Sequence, residues 1–267
     1  LPSGGFFRLI TARPRSATTA LPLRVCLVHG FFQDGRSWLA AAREIARRHA
    51  PCDVVIPDLE SFGRSPPRPR PPARDGAPPA LTLDTTALVA QLRELLRTEL
   101  GWAEASSQRR LVLGGISLGG GVAARYALEH GGVDALLLVA APGHAATGAH
   151  GVGDGGAAPF AAARRLFPAT RDGWLAPALG RVLARADAAA AGGAARARHA
   201  REWLALASEA PTYGCADDLG ARLRAARVQL AVVGAAFDEV HGANLTRWAA
   251  GRRVRRLAAH GVAVADA

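Results

Sequence analysis

The stretch from Arg110 to His130 reads RLVLGGISLGGGVAARYALEH, and its hydrophobic pattern changes half-way. Arg110–Ile116 is short and almost continuously apolar, as a strand buried on both faces would be. Leu118–His130 is rich in helix formers, and Gly131 and Gly132 follow it as stop signals. Strand and helix meet at Gly115-Ile116-Ser117-Leu118-Gly119, which fits G-x-S-x-G. A turn this abrupt between a strand and a helix brings backbone against backbone, and only small neighbours permit that approach. Gly115, Gly119, Gly120 and Gly121 are those neighbours.

Outward from this unit the same alternation recurs. Leu23–His29 is an apolar run leading into Ser37–His49, whose Trp38, Ala42, Ile45 and Ala46 share one helical face. Val228–Gly234 leads towards a helical pattern over Ala243–Ala250. Cys52–Pro57 and Ala135–Ala141 are further strand candidates, Arg253–Ala258 is a weaker one, and Phe6–Ile10 reads as a first strand. Asp84 caps a predicted helix that runs to Leu100 and stops at Gly101, with Leu88, Leu92, Leu95 and Leu96 as its apolar stripe. Short apolar strands alternating with helices predict an α/β fold: a mostly parallel sheet covered by helices on both faces.

Two segments interrupt the pattern. Ser65–Ala80, SPPRPRPPARDGAPPA, lacks the apolar residues to pack and predicts an extended Pro-rich loop over 65–80. From 143 to 215 helical patterns follow a Gly/Ala/His stretch with no strand between them, which reads as a helical lid or cap. The predicted division is therefore a core formed by 1–142 and 216–267 with an inserted lid, 143–215.

Composition narrows the function classes. The chain of 267 residues carries a formal net charge of +11, and all 33 of its basic residues are Arg. They are spread along the whole chain beside an excess of Ala, Gly and Pro. That distribution reads as a compositional bias, not as the aromatic-interleaved patch of a specific nucleic-acid binder. No apolar run approaches bilayer length, so no transmembrane segment is predicted. Cys26, Cys52 and Cys215 are odd in number and far apart; Cys26 and Cys52, in apolar strand-like stretches, read as buried small hydrophobes, and a reducing, cytoplasmic setting is expected. The start at Leu1, the absence of Met and the Arg/Ser/Thr-rich Thr11–Ala20 leave a processed, organellar form open. No metal-ligand spacing, phosphate loop or dinucleotide fingerprint occurs, so neither a metal nor a cofactor is expected.

With Val28-His29-Gly30-Phe31-Phe32 ending the second strand candidate, the chain resembles the α/β-hydrolase superfamily. Asp58-Leu59-Glu60-Ser61-Phe62-Gly63-Arg64-Ser65 is similar to that family's D-x-x-G-x-G-x-S segment, with Ser61 in place of the first Gly. The resemblance implies an eight-stranded sheet with the lid inserted after strand six. It also implies Ser117 as nucleophile, and an oxyanion hole from the backbone N–H groups of Phe31 and Leu118. Superfamily order is Ser, then acid, then His. Asp238 follows the strand ending Val232-Val233-Gly234 and is the expected acid, with Glu239 adjacent as the alternative. His260, in Ala258-Ala259-His260-Gly261, is the expected base, whereas His29 reads as a loop prop, not a proton carrier.

The expected activity is hydrolysis of a small-molecule carboxylic ester with an apolar acyl or alcohol group. Acyl transfer, lyase or perhydrolase chemistry on the same triad is the nearest alternative. A receptor that binds a small hydrophobic ligand without turnover is the alternative from another class.

Overall fold

A computed structural model of the chain describes residues 4–14, 21–31, 33–67, 83–102, 110–141, 222–223, 225–235, 254–257 and 262–266. Its strands are β1 (Phe7–Ala12), β2 (Leu23–Val28), β3 (Cys52–Pro57), β4 (Leu111–Ile116), β5 (Ala135–Val139), β6 (Gln229–Ala235), β7 (Val254–Leu257) and β8 (Val262–Asp266). They form one sheet in the order β1-β3-β2-β4-β5-β6-β8-β7. The pairs β2–β3, β2–β4, β4–β5 and β5–β6 are parallel. The pairs β1–β3, β6–β8 and β7–β8 are antiparallel.

Alternation along the inner strands separates two cores. Val25 and Leu27 of β2 pack with Val54 and Ile56 of β3 against Ala42 and Ala46 of α1 (Leu39–Arg48). Their neighbours Cys26, Val28 and Val55 face the other way. There they join Leu88 and Leu92 of α2 (Thr85–Arg93) and Val122 and Ala123 of α3 (Leu118–His130). Side chains of period two on the strands thus meet helices on both faces, as the sequence pattern predicted. Asp84 caps α2, its carboxylate accepting from the Ala87 N–H at 2.7 Å. The helix continues through a π-helical turn, Glu94–Glu99, that keeps Leu95 and Leu96 buried. Gly101 ends this segment at φ +59°.

Among the departures from the sequence reading, three matter for the sheet and its loops. The first strand runs on to Ala12 because it pairs with β3 as far as Cys52. Ser65, assigned to the Pro-rich loop, is buried: its hydroxyl donates to the Asp58 carbonyl at 2.6 Å and accepts from the Phe6 N–H at 2.8 Å. The stretch Val262–Asp266, for which no strand was predicted, is the antiparallel neighbour of β6, while Arg253–Ala258 supplies the outer β7. VAVAD has too few residues for periodicity to separate strand from helix, and partner choice alone decides it. Residues 68–82 and the predicted lid, 143–215, lie outside the described residues.

Candidate active site

Within the sheet the chain leaves β2 for β3 on one side and then returns to β4 on the other. The loops leaving β2 and β4 therefore diverge at the carboxyl edge, the place where open α/β sheets form a crevice. Ser117 stands there, between β4 and α3, at φ 50° and ψ −122°. A non-glycine residue in that region costs about 1–3 kcal/mol and persists only where its surroundings hold it. Here the Ser117 N–H donates to the Val139 carbonyl of β5 at 2.9 Å. Its own carbonyl accepts from the N–H groups of Gly120, at 2.9 Å, and Gly121, at 3.3 Å.

The glycines of the turn are needed for contact. A Cβ on Gly115 would run into the Gly119 carbonyl and lie 2.5 Å from the Gly120 nitrogen. One on Gly119 would strike the Val28 and His29 carbonyls, and one on Gly120 would strike the Ala141 methyl group. So β2, β4 and β5 close together around the first turn of α3. Leu118, buried, is the first residue of that helix. An N–H at this position has no intrahelical acceptor and stands at the positive end of the helix dipole.

The loop after β2 comes directly against the turn. A Cβ on Gly30 would lie 3.3 Å from Ser117 Cβ and 3.2 Å from the Ile116 carbonyl oxygen. Gly30 donates its N–H to Gln33 Oε1 at 3.0 Å, and its carbonyl accepts from the Gln33 N–H at 3.3 Å. The Trp38 indole donates to the Val28 carbonyl at 3.0 Å. Phe31, half-buried, packs its ring edge-on to Phe62 with centroids 5.7 Å apart.

Beneath this loop lie His29 and Asp58, both fully buried. His29 Nε2 accepts from the Leu59 N–H at 2.9 Å, and Nδ1 lies 2.8 Å from the Gly30 carbonyl. Its ring is therefore a prop with both nitrogens occupied. Burial lowers its pKa below the usual imidazole value, although the Gly30 carbonyl, Asp58 and Asp34 act in the opposite sense. The Asp58 carboxylate accepts from the Arg8 guanidinium at 2.9 Å, the Gly35 N–H at 2.8 Å and the Arg64 N–H at 2.9 Å. Gln91 of α2 extends the support, donating to the Asp58 carbonyl at 3.1 Å and accepting from the Glu60 N–H at 2.7 Å. One network thus ties β1, the loops after β2 and β3, and α2 together. Ser61, in place of the family's first Gly, takes φ 65° here, the left-handed conformation that Gly adopts without cost.

The residue model of the "Alpha/beta hydrolase family" matches this chain over residues 27–267. The chain belongs to the alpha/beta hydrolase family. No curated protein matches it in sequence. Among solved structures this alpha/beta hydrolase is similar to a structure from work on carboxylesterases of the Thaumarchaeon Nitrososphaera gargenis, with a TM-score of 0.56 at 17% identity. That match covers 93% of this chain and 83% of the other. It is also similar to a hydrolase from Pseudomonas aeruginosa PA01, with a TM-score of 0.53 at 22% identity, covering 91% and 81% of the two chains. An alpha/beta hydrolase from Sphaerobacter thermophilus has a TM-score of 0.54 at 12% identity, covering 96% and 90%. At these identities the structural likeness speaks to the fold, and the family model carries the membership.

Ser117, Leu118, Gly115, Gly119 and Phe31 are brought to one edge of the hydrolase sheet. Asp238, Glu239 and His260 lie outside the described residues, His260 falling in sequence between β7 and β8. Asp58, Gln33 and Gln91 were not singled out as site residues, since their bonds join residues far apart in the chain. Cys26 and Cys52 are buried, and burial raises both thiol pKa values, that of Cys52 to about 11. Both thiols are therefore protonated at neutral pH. No helix among the described residues is long and apolar enough to cross a membrane.

Proposed function

We propose that this alpha/beta hydrolase is a serine esterase in which Ser117 attacks the carbonyl carbon of a carboxylic ester. The observation that carries the reading is the strained backbone of Ser117 at the carboxyl edge of β4, with Gly30 packed against its Cβ. Strain of this kind is kept where it serves to present a side chain. In the proposed reaction His260 accepts the Ser117 proton, and Asp238 holds the imidazole in the required tautomer and stabilises its cation. The N–H groups of Phe31 and Leu118 receive the charge that develops on the carbonyl oxygen. The protonated His260 then gives its proton to the leaving alcohol, and water cleaves the acyl-enzyme by the same steps in reverse order.

An ester with an apolar acyl or alcohol part is the proposed substrate class. It is supported by the carboxylesterase context of one structural relative and by the apolar residues Phe160, Phe167, Trp174 and Trp203 in the predicted lid. The test is turnover of p-nitrophenyl esters of graded chain length. Wild type should hydrolyse them. Ser117→Ala should not, while keeping its circular dichroism spectrum. Asp238→Asn should lose about four orders of magnitude in kcat and Glu239→Gln little, because a misoriented imidazole is a poor base. Full turnover in Ser117→Ala would refute the proposal, and the reverse ranking of the carboxylates would move the acid to Glu239.

A further inference from the structure

Among the described residues four that are not glycine take φ in the left-handed region: Ser61, Ser117, Ala140 and Arg227. Arg227 precedes β6 at the amino edge, whereas the other three lie in segments that leave β3, β4 and β5 at the carboxyl edge. Ala140, at φ 44°, comes directly after β5. The Val139 carbonyl accepts from the Ser117 N–H at 2.9 Å, and the Ala140 N–H donates to the Val233 carbonyl of β6 at 2.7 Å. The peptide between Val139 and Ala140 is thus clamped from both sides. Beyond it Ala141 is buried against the first turn of α3, where a Cβ on Gly120 would strike its methyl group. The parallel register pairs Ile116 with Val139, so the next pair is Ser117 and Ala140. Adjacent strands are about 4.8 Å apart, which puts the two residues within one strand spacing. Ala140 is half-buried although Leu138 and Ala141 beside it are buried.

We propose that Ala140 is a specificity-determining residue: its methyl group is the wall of the ester site on the β5 side of Ser117, and its size limits branching next to the reacting carbon. The inference rests on the serine-esterase reading. Gly30 and Phe31 occupy the β2 side of Ser117, with Gly30 packed against its Cβ. In that reading the carbonyl oxygen turns towards the Phe31 N–H. A tetrahedral carbon bonded to Ser117 Oγ must then send another substituent the opposite way, towards β5. Glycine would adopt the left-handed turn without cost, whereas alanine brings its Cβ against a carbonyl. Alanine therefore holds one methyl group beside the nucleophile at the expense of backbone strain, and strain of this kind gathers where a site needs a fixed shape. Because the wall stands within one strand spacing of Ser117, it meets the atoms next to the carbonyl and not the far end of a chain.

The test changes the wall in opposite directions. Ala140→Gly removes the methyl group and accepts the left-handed backbone, and Ala140→Leu adds an isopropyl group. Two ratios of kcat/KM are read: p-nitrophenyl isobutyrate over p-nitrophenyl acetate for the acyl part, and isopropyl acetate over ethyl acetate for the alcohol part. Intrinsic reactivities cancel when a ratio is compared between variant and wild type. In one series the ratio should fall about tenfold or more in Ala140→Leu and rise about threefold or more in Ala140→Gly, the scale of a carbon added to or taken from a pocket. The series that responds identifies the part of the ester facing β5. A merely structural fault lowers branched and unbranched esters alike and moves neither ratio. Opposite shifts within one series support the proposal, and any other pattern overturns it. Should Ala140→Leu fail to fold, Ala140→Gly decides alone: a raised ratio supports the wall, and an unchanged or lowered one overturns it. Wild-type ester turnover and fluorophosphonate labelling of Ser117 are measured first. Their absence removes the serine-esterase reading and this proposal with it, whereas their presence with unmoved ratios removes only the role of Ala140.

Discussion

Two turns meet at the carboxyl edge of the sheet, and they are built by opposite means. The turn after β4 is shaped by missing side chains: Gly115, Gly119 and Gly120 let strand, helix and neighbouring backbone close on one another around Ser117. The loops after β2 and β3 are shaped by side chains, with His29, Gln33, Asp58 and Gln91 satisfying backbone groups that no regular ladder pairs. A steric device fails when an atom is added to it. A polar device fails when a partner is removed or its protonation changes.

The largest effect should come from adding one methyl group to the first turn. Gly115→Ala puts a Cβ into the Gly119 carbonyl and 2.5 Å from the Gly120 nitrogen. Backbone atoms held by a strand and a helix cannot yield as a flexible side chain can. The cost should exceed the ordinary overpacking range, reaching about 3 kcal/mol or more. Urea unfolding would measure it, and a variant within about 0.5 kcal/mol of wild type would show that the turn is not sterically closed.

Next should come the polar hub. Asp58→Ala removes an acceptor shared by the Arg8 guanidinium and two backbone N–H groups, all on different segments. Breaking a buried pair leaves a charge without its counterion, and Arg8 retains 20% side-chain exposure, which softens that penalty. A loss of about 2–3 kcal/mol is expected. Arg8→Ala should cost less, because the carboxylate keeps its two backbone donors. Equal costs would mean that the ion pair alone, and not the loop staple, carries the effect.

The difference between the turns also explains what could be read from sequence. G-x-S-x-G between a strand and a helix is a local pattern, because the atoms that collide lie within a few residues of one another. The apolar stripes of α1 and α2 and the continuous apolar runs of β2 and β3 were legible for the same reason. Asp58 reaches Gly35 and Arg8 across 23 and 50 residues. No spacing rule connects such positions, so the hub was visible only as part of a family-like segment. Ser61 shows the limit from the other side: the family pattern marks its position as one for Gly, yet only the backbone reveals φ 65° there. The strand Val262–Asp266 was missed because five residues set no period, and its pairing with β6 is a long-range choice.

A weaker response, to pH, is expected of the polar loops alone. Burial depresses the folded-state pKa of His29 below its unfolded value of about 6.5. Between those two values the unfolded chain binds more protons than the folded one. Stability is therefore full above about pH 6.5 and declines as pH falls below it. Melting temperatures from pH 8 down to about pH 5 should fall more steeply for wild type than for His29→Asn, which lacks the titrating ring. Parallel curves would mean that His29 binds protons alike in both states.

Whether the strained turn presents Ser117 as a nucleophile can be read from covalent labelling. The native protein would be treated with a fluorophosphonate, digested, and its modified peptide sequenced by mass spectrometry. One phosphonylated residue, Ser117, is expected, with ester turnover falling in step with its modification. Label on another residue with Ser117 unmodified, or full turnover after stoichiometric modification of Ser117, would contradict it.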